Sequence, residues 1–139
     1  MFRETDLDQL NGFVKNTLLE HLSIKVSKIS DDFIEATMPV TAKTHQPMGY
    51  LHGGATLALA ESIGSLASFL IADPKKYHVF GLEINANHIK SKKDGELIAR
   101  ATPIHIGTRT HIWDIKVRDE KGDLISVVRL TNMVVDARK

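Results

Sequence analysis

The chain has 139 residues, 18 basic and 17 acidic side chains, a net charge of +1, seven histidines and no cysteine. That length sets one domain, residues 1–139, with a core that needs no covalent staples. The missing cysteines exclude a disulfide framework and a thiol nucleophile, and the balanced charge argues against a nucleic-acid partner.

The opening residues, Met1-Phe2-Arg3-Glu4-Thr5-Asp6, lack the basic-then-apolar order of a signal peptide. A cytoplasmic location with no membrane partner is the expectation. Leu7, Leu10, Val14 and Leu18 recur at helical spacing. They predict one or two short helices over 6–20, with Asp6 as the cap and Gly12 weakening the middle. Leu22, Ile24 and Val26 alternate, as do Ile34, Ala36, Met38 and Val40. With Ser30-Asp31-Asp32 between them they read as a β-hairpin. Residues 41–53 read as a loop carrying Pro47, Gly49 and Gly53.

A helix is predicted from about Gly54 to Ala72, stopped by Pro74. It is apolar on nearly every side, and such a helix is normally buried. Strands follow over 78–90, 96–106, 109–118 and 124–135, and the four are expected to form a meander. Asp94-Gly95 and Lys121-Gly122 read as hairpin turns. Trp113 and Phe80 are expected in the core. Met48, Tyr50 and Phe69 are expected either to line a pocket or to be ordinary packing.

Glu61 is the anomaly, a lone carboxylate inside the apolar helix. Glutamate is almost never buried without a partner or a task, and the helix holds no basic residue to pair with it. The helix is announced by His52-Gly53-Gly54. Glycines there allow close backbone approach to a ligand, and free N–H groups at a helix start favour an anion or a developing oxyanion. Gly53 and Glu61 are eight residues apart, about 12 Å along a helix axis. A base must come within about 3 Å of its proton, directly or through one water. One helix therefore cannot serve one carbonyl with both groups, whereas two antiparallel helices across a two-fold axis can. The histidines show no metal-ligand spacing, so no metal is expected. Ser62 and Ser68 read as packing residues.

Four motifs carry a family resemblance: E-A-T-M-P-V (Glu35 to Val40), Q-P-M-G-Y-L-H-G-G-A (Gln46 to Ala55), L-A-E-S-I-G-S (Leu59 to Ser65) and G-L-E-I-N-A-N-H (Gly81 to His88). On these the chain resembles hotdog-fold acyl-CoA thioesterases. The branch is that of glutamate-type 4-hydroxybenzoyl-CoA thioesterases and 1,4-dihydroxy-2-naphthoyl-CoA hydrolases. The resemblance implies an α+β hotdog fold, a curved antiparallel sheet wrapped around one long helix. It implies catalytic roles for Glu61, Gln46, His52, Gly53 and Ser65, where Ser65 replaces a more usual threonine. Substrate and CoA contacts would fall on Gly81, on His88, Ile89, Lys90 and Ser91, and on His105, Ile106, Gly107, Thr108, Arg109 and Thr110. Lys92 is a further candidate for the CoA phosphates, set against an ordinary solvated surface.

The implied assembly is a homodimer with shared sites, extended to a homotetramer. No cofactor is implied beyond coenzyme A as part of the substrate. A naphthoyl substrate would place the chain in menaquinone biosynthesis. The alternatives are a hotdog hydroxyacyl-thioester dehydratase and a non-catalytic acyl-CoA-binding module.

Overall fold

The structure, a computed structural model, describes residues 1–138; Lys139, the last residue of the expected domain, lies outside them. Two short helices, α1 (Leu7–Phe13) and α2 (Leu18–His21), precede the hairpin of β1 (Lys25–Ile29) and β2 (Ile34–Pro39). The long helix α3 (Gly53–Ile71) follows, then β3 (Tyr77–His88), β4 (Glu96–Ile106), β5 (Thr110–Asp119) and β6 (Leu124–Asp136). The strands form one antiparallel sheet in the order β1-β2-β4-β5-β6-β3. It curves around α3, which packs against every strand from β2 to β6. This is the architecture that the resemblance implied.

Asp6 caps α1 through a capping box with Gln9. The break between α1 and α2 falls at Asn16, whose φ of 62° is left-handed, and not at Gly12. Asn11 reaches β1 with both ends of its amide, accepting from Val26 N–H at 2.9 Å and donating to its carbonyl at 3.0 Å. The hairpin begins at Lys25, because Leu22 closes α2. Gly64 lets α3 settle on the sheet, since a Cβ there would lie 2.5 Å from Leu130 Cδ2. Strand β6 turns Ser126, Val128, Leu130 and Asn132 inward, and β5 turns His111, Trp113, Ile115 and Val117 inward.

The expected four-strand meander is corrected. β4, β5 and β6 do run as neighbours, but β3 pairs with β6 and β4 pairs with β2. Asp94-Gly95 is therefore no hairpin turn. It ends a connection that crosses from one region of the sheet to another, with Lys92 and Gly95 carbonyls accepting from the Leu51 and Val40 N–H groups. Lys121-Gly122 is the turn expected, with Gly122 at φ 87°. In the single chain one side of α3 is open, and Glu61 on that side is exposed. Phe80, expected in the core, is 57% exposed on β3, while Trp113 is fully buried.

Candidate active site

The start of α3 is built by the loop before it. Gln46 N–H donates to the Tyr50 carbonyl, and Gly49, at φ 84°, donates to the Gln46 carbonyl, so 46–50 close into a tight turn. The His52 N–H is tied to the Thr44 carbonyl at 2.8 Å. His52 is the N-cap of α3, and its Nδ1 accepts from the Gly54 N–H at 2.7 Å. Its proton therefore sits on Nε2 in the neutral ring. Gln46 Oε1 accepts from the Met48 N–H at 2.5 Å, which leaves the amide NH₂ as the free end. The Gly53 N–H has no acceptor among the described residues. It is the open donor of the helix start.

The imidazole of His88 lies over Gly53, where a Cβ would meet its Nε2 at 2.7 Å. Its Nδ1 is 2.8 Å from the hydroxyl of buried Ser126, its register partner on β6. Gln46, Gly53, His88, Ile89, Lys90 and Ser91 line a cleft of about 340 Å³. Thr56 lines it too, and its buried hydroxyl has no partner among the described residues.

Glu61 stands elsewhere. With Ser65 one turn on, it lines a groove of about 1150 Å³ between α3, β3 and the first two helices. Phe13, Leu18, Phe69, Tyr77 and Phe80 make its apolar wall. The Glu61 carboxylate rests on Gly81, where a Cβ would lie 2.6 Å from Oε2. The register of β3 on β6 slips between Gly81 and Glu83, so the strand is bent beside the carboxylate. Ser65 Oγ lies 3.4 Å from Asn132 Oδ1, and buried Asn132 continues to the Gly64 carbonyl and Ser68.

The predicted residues therefore fall into two groups on one chain. Gln46, His52, Gly53 and His88 to Ser91 gather at the start of α3. Glu61, Ser65 and Gly81 gather about 12 Å further along. His105 to Thr110 lie further still, around the β4–β5 turn. Neighbouring His111 bonds Ser68 at 2.9 Å, about 22 Å along the axis from Gly53 (15 residues at about 1.5 Å). There the Gly107 N–H donates to the Thr110 carbonyl and His105 lies against Gly107.

The lysines are not free cations. Lys90 pairs with Asp123 at 2.5 Å. Lys92 is held by Glu120 at 3.0 Å and Asp119 at 3.5 Å, and the Glu120 bond raises its ammonium pKa above the ordinary value. Burial works against ionisation of Asp119, but the Asp123 and Lys121 N–H groups and Lys92 outweigh it and hold its carboxyl low. Lys92 thus anchors the crossing connection. Met48 is 78% exposed, and Lys93 lies over the Tyr50 ring; of the three expected pocket residues, Phe69 alone lines the groove.

Thr56, Ser126 and Asn132 were not anticipated. The two on β6 carried a signal: they are polar residues at inward positions of a strand whose other inward residues are Val128 and Leu130.

Residues 48–126 match the sequence pattern of the family described as the thioesterase superfamily. A 1,4-dihydroxy-2-naphthoyl-CoA hydrolase of Escherichia coli is 44% identical over 96% of this chain and 97% of its own. A proofreading thioesterase of Cronobacter turicensis is 41% identical over 96% of each chain. The crystal structure of a thioesterase from Pseudomonas aeruginosa superposes with a TM-score of 0.95, at 44% identity, over 97% of this chain and 98% of its own.

Proposed function

The chain belongs to the thioesterase superfamily and is a thioester hydrolase, and from that premise we propose that it cleaves an aryl- or acyl-CoA at a site built from two copies of itself. The relative of named substrate makes 1,4-dihydroxy-2-naphthoyl-CoA the first candidate. The observation that carries the shared site is the separation of its halves. The open Gly53 N–H and the Glu61 carboxylate stand in different clefts of the same helix.

Across a two-fold axis the cleft of one copy faces the groove of the other. The thioester carbonyl then sits at Gly53 of one chain, where the helix start stabilises the oxyanion. A preorganised donor of this kind is worth about 2.7–4 kcal/mol. Gln46 adds its free NH₂. His52, committed through Nδ1 to the Gly54 N–H, orients the loop and offers Nε2–H as a donor. Glu61 of the second chain delivers the attack, either by deprotonating water or by attacking the carbonyl itself. His88 to Ser91 of one chain and His105 to Thr110 of the other flank the CoA. The uncovered edge of β3, with exposed Phe80 and Leu82, is the surface on which the second copy joins. The same assembly pairs further into a tetramer.

The relatives of named activity are hydrolases, which favours hydrolysis over dehydration or binding alone. The test is a panel of aryl- and alkyl-CoA thioesters followed with a thiol reagent. Release of CoA with a preference for aromatic acyl groups is the expected result. Water addition to enoyl thioesters in its place would overturn the reading.

A further inference from the structure

We propose that Asn132 is a positioning residue for hydrolysis, turning the Ser65 hydroxyl so that Ser65 accepts rather than donates a hydrogen bond beside Glu61. This rests on the thioesterase reading and adds a residue and a proton direction to it.

A backbone carbonyl can only accept a hydrogen bond. Asn132 is fully buried, and Nδ2 lies 3.1 Å from the Gly64 carbonyl. The amide nitrogen must therefore face Gly64, and this sets the amide orientation that distance alone leaves open. Oδ1 then faces Ser65 Oγ at 3.4 Å. An amide oxygen has no proton to give, so the hydrogen of this bond belongs to Ser65.

The far side of Asn132 is consistent with the orientation that Gly64 sets. Its second N–H and the Trp113 indole N–H, which has no acceptor role, both donate to Ser68 Oγ at 2.9 Å. With its lone pairs so used, Ser68 sends its own proton to His111 Nδ1, also 2.9 Å away. Reversing the Asn132 amide would set oxygen against the Gly64 carbonyl. It would also leave buried groups unpaired, at the full desolvation cost of each.

With its hydrogen turned into the sheet, Ser65 presents lone pairs to the groove. A water beside Glu61 then meets two acceptors, one for each proton. Glu61 takes one proton as the O–H bond breaks and the water oxygen bonds the carbonyl carbon. The carbonyl electron pair moves to the oxygen held at Gly53 of the other copy. The second proton stays on the water oxygen, held by Ser65, and the remaining lone pair is aimed at carbon. Collapse of the oxyanion breaks the C–S bond, and the thiolate takes its proton from Glu61. Ser65 keeps its own hydrogen throughout.

The experiment is a double-mutant cycle on the assembled enzyme. Ser65→Ala and Asn132→Ala should each lower kcat by about 3- to 10-fold, the reach of one neutral hydrogen bond, with KM little changed. The double variant should be no slower than Ser65→Ala alone, because both remove one interaction. Ser68→Ala opens the same network on its other side and should lower Tm while kcat stays within about twofold. Asn132→Leu, apolar and of similar size, removes the acceptor facing Ser65 while filling the site. It should show the same loss of kcat where Asn132→Ala does not fold. Multiplied losses in the double variant overturn the assignment. So does a kcat loss in Ser68→Ala as large as that of Ser65→Ala, or a wild-type kcat in Asn132→Leu. Wild-type enzyme without CoA-thioester hydrolysis would instead defeat the thioesterase reading, a separate outcome of the same assay.

Discussion

Glu61 lies on the side of α3 that the single chain leaves open. The lone carboxylate in an apolar helix was visible as an anomaly, yet its exposure was not, because periodicity records how apolar a face is and not whether the same chain covers it. Glu61→Ala should lower kcat by at least about 10²-fold, the low end of general-base contributions. Binding of a non-hydrolysable CoA analogue should be unchanged by calorimetry. Gly81 offers a finer test. An added Cβ would strike the carboxylate, at 2.6 Å from Oε2, and that is a flexible tip able to move. Gly81→Ala should therefore keep its Tm and lose kcat by between about 10- and 100-fold, since small misplacements of a reacting group are costly. Equal losses of Tm and kcat would show that the glycine serves packing alone. Gly81 was marked only by its motif; nothing in its own neighbourhood of the sequence showed that a carboxylate rests on it.

The elements were well marked where pattern and local chemistry coincide. The inward alternation of β5 and β6 and the Lys121-Gly122 turn predicted a hairpin that is present. The placement of β3 was hidden, because strand pairing depends on what helix and sheet bury together, and Asp94-Gly95 marks a turn of any kind. The polar inward residues of β5 and β6 have a consequence for pH. Burial pushes the His111 imidazole below its ordinary value, opposed by the Gly107 carbonyl and reinforced by His105. The unfolded chain then takes up a proton below about pH 6.5 that the folded chain resists, so folding stability falls as pH drops through that range. Above it the histidine is neutral in both states and contributes no slope. His111→Asn keeps an oxygen able to accept from Ser68 and does not titrate. Its Tm should fall less than that of wild type between about pH 7.5 and about pH 5. Parallel curves for the two proteins would assign the acid loss to other groups.

On the scale of the whole molecule, the separation of Gly53 from Glu61 predicts complementation. Gln46 variants and Glu61 variants should each be nearly inactive as homodimers. In a mixed dimer one site collects both defects and the other neither. Random re-association makes about half the dimers mixed, each with one intact site of two, so about a quarter of wild-type activity should return. Co-expression or refolding is needed for the mixing, and verified mixed dimers as inactive as their parents would place both residues in one site of one chain.

The pairing of β3 with β6 has a further consequence in time. The strand carrying Gly81 emerges from the ribosome well before β6, its neighbour in the sheet, since Tyr77 pairs with Asp136 and His88 with Ser126. Pairings this distant must close a long loop before they gain anything. Until β6 is made, the backbone N–H and C=O groups of β3 lack the strand that pairs them, and the nascent chain presents them as an edge open to other chains. The strand that later seats the carboxylate is thus among the last to dock, and chains stalled within β6 should be the ones that chaperones hold.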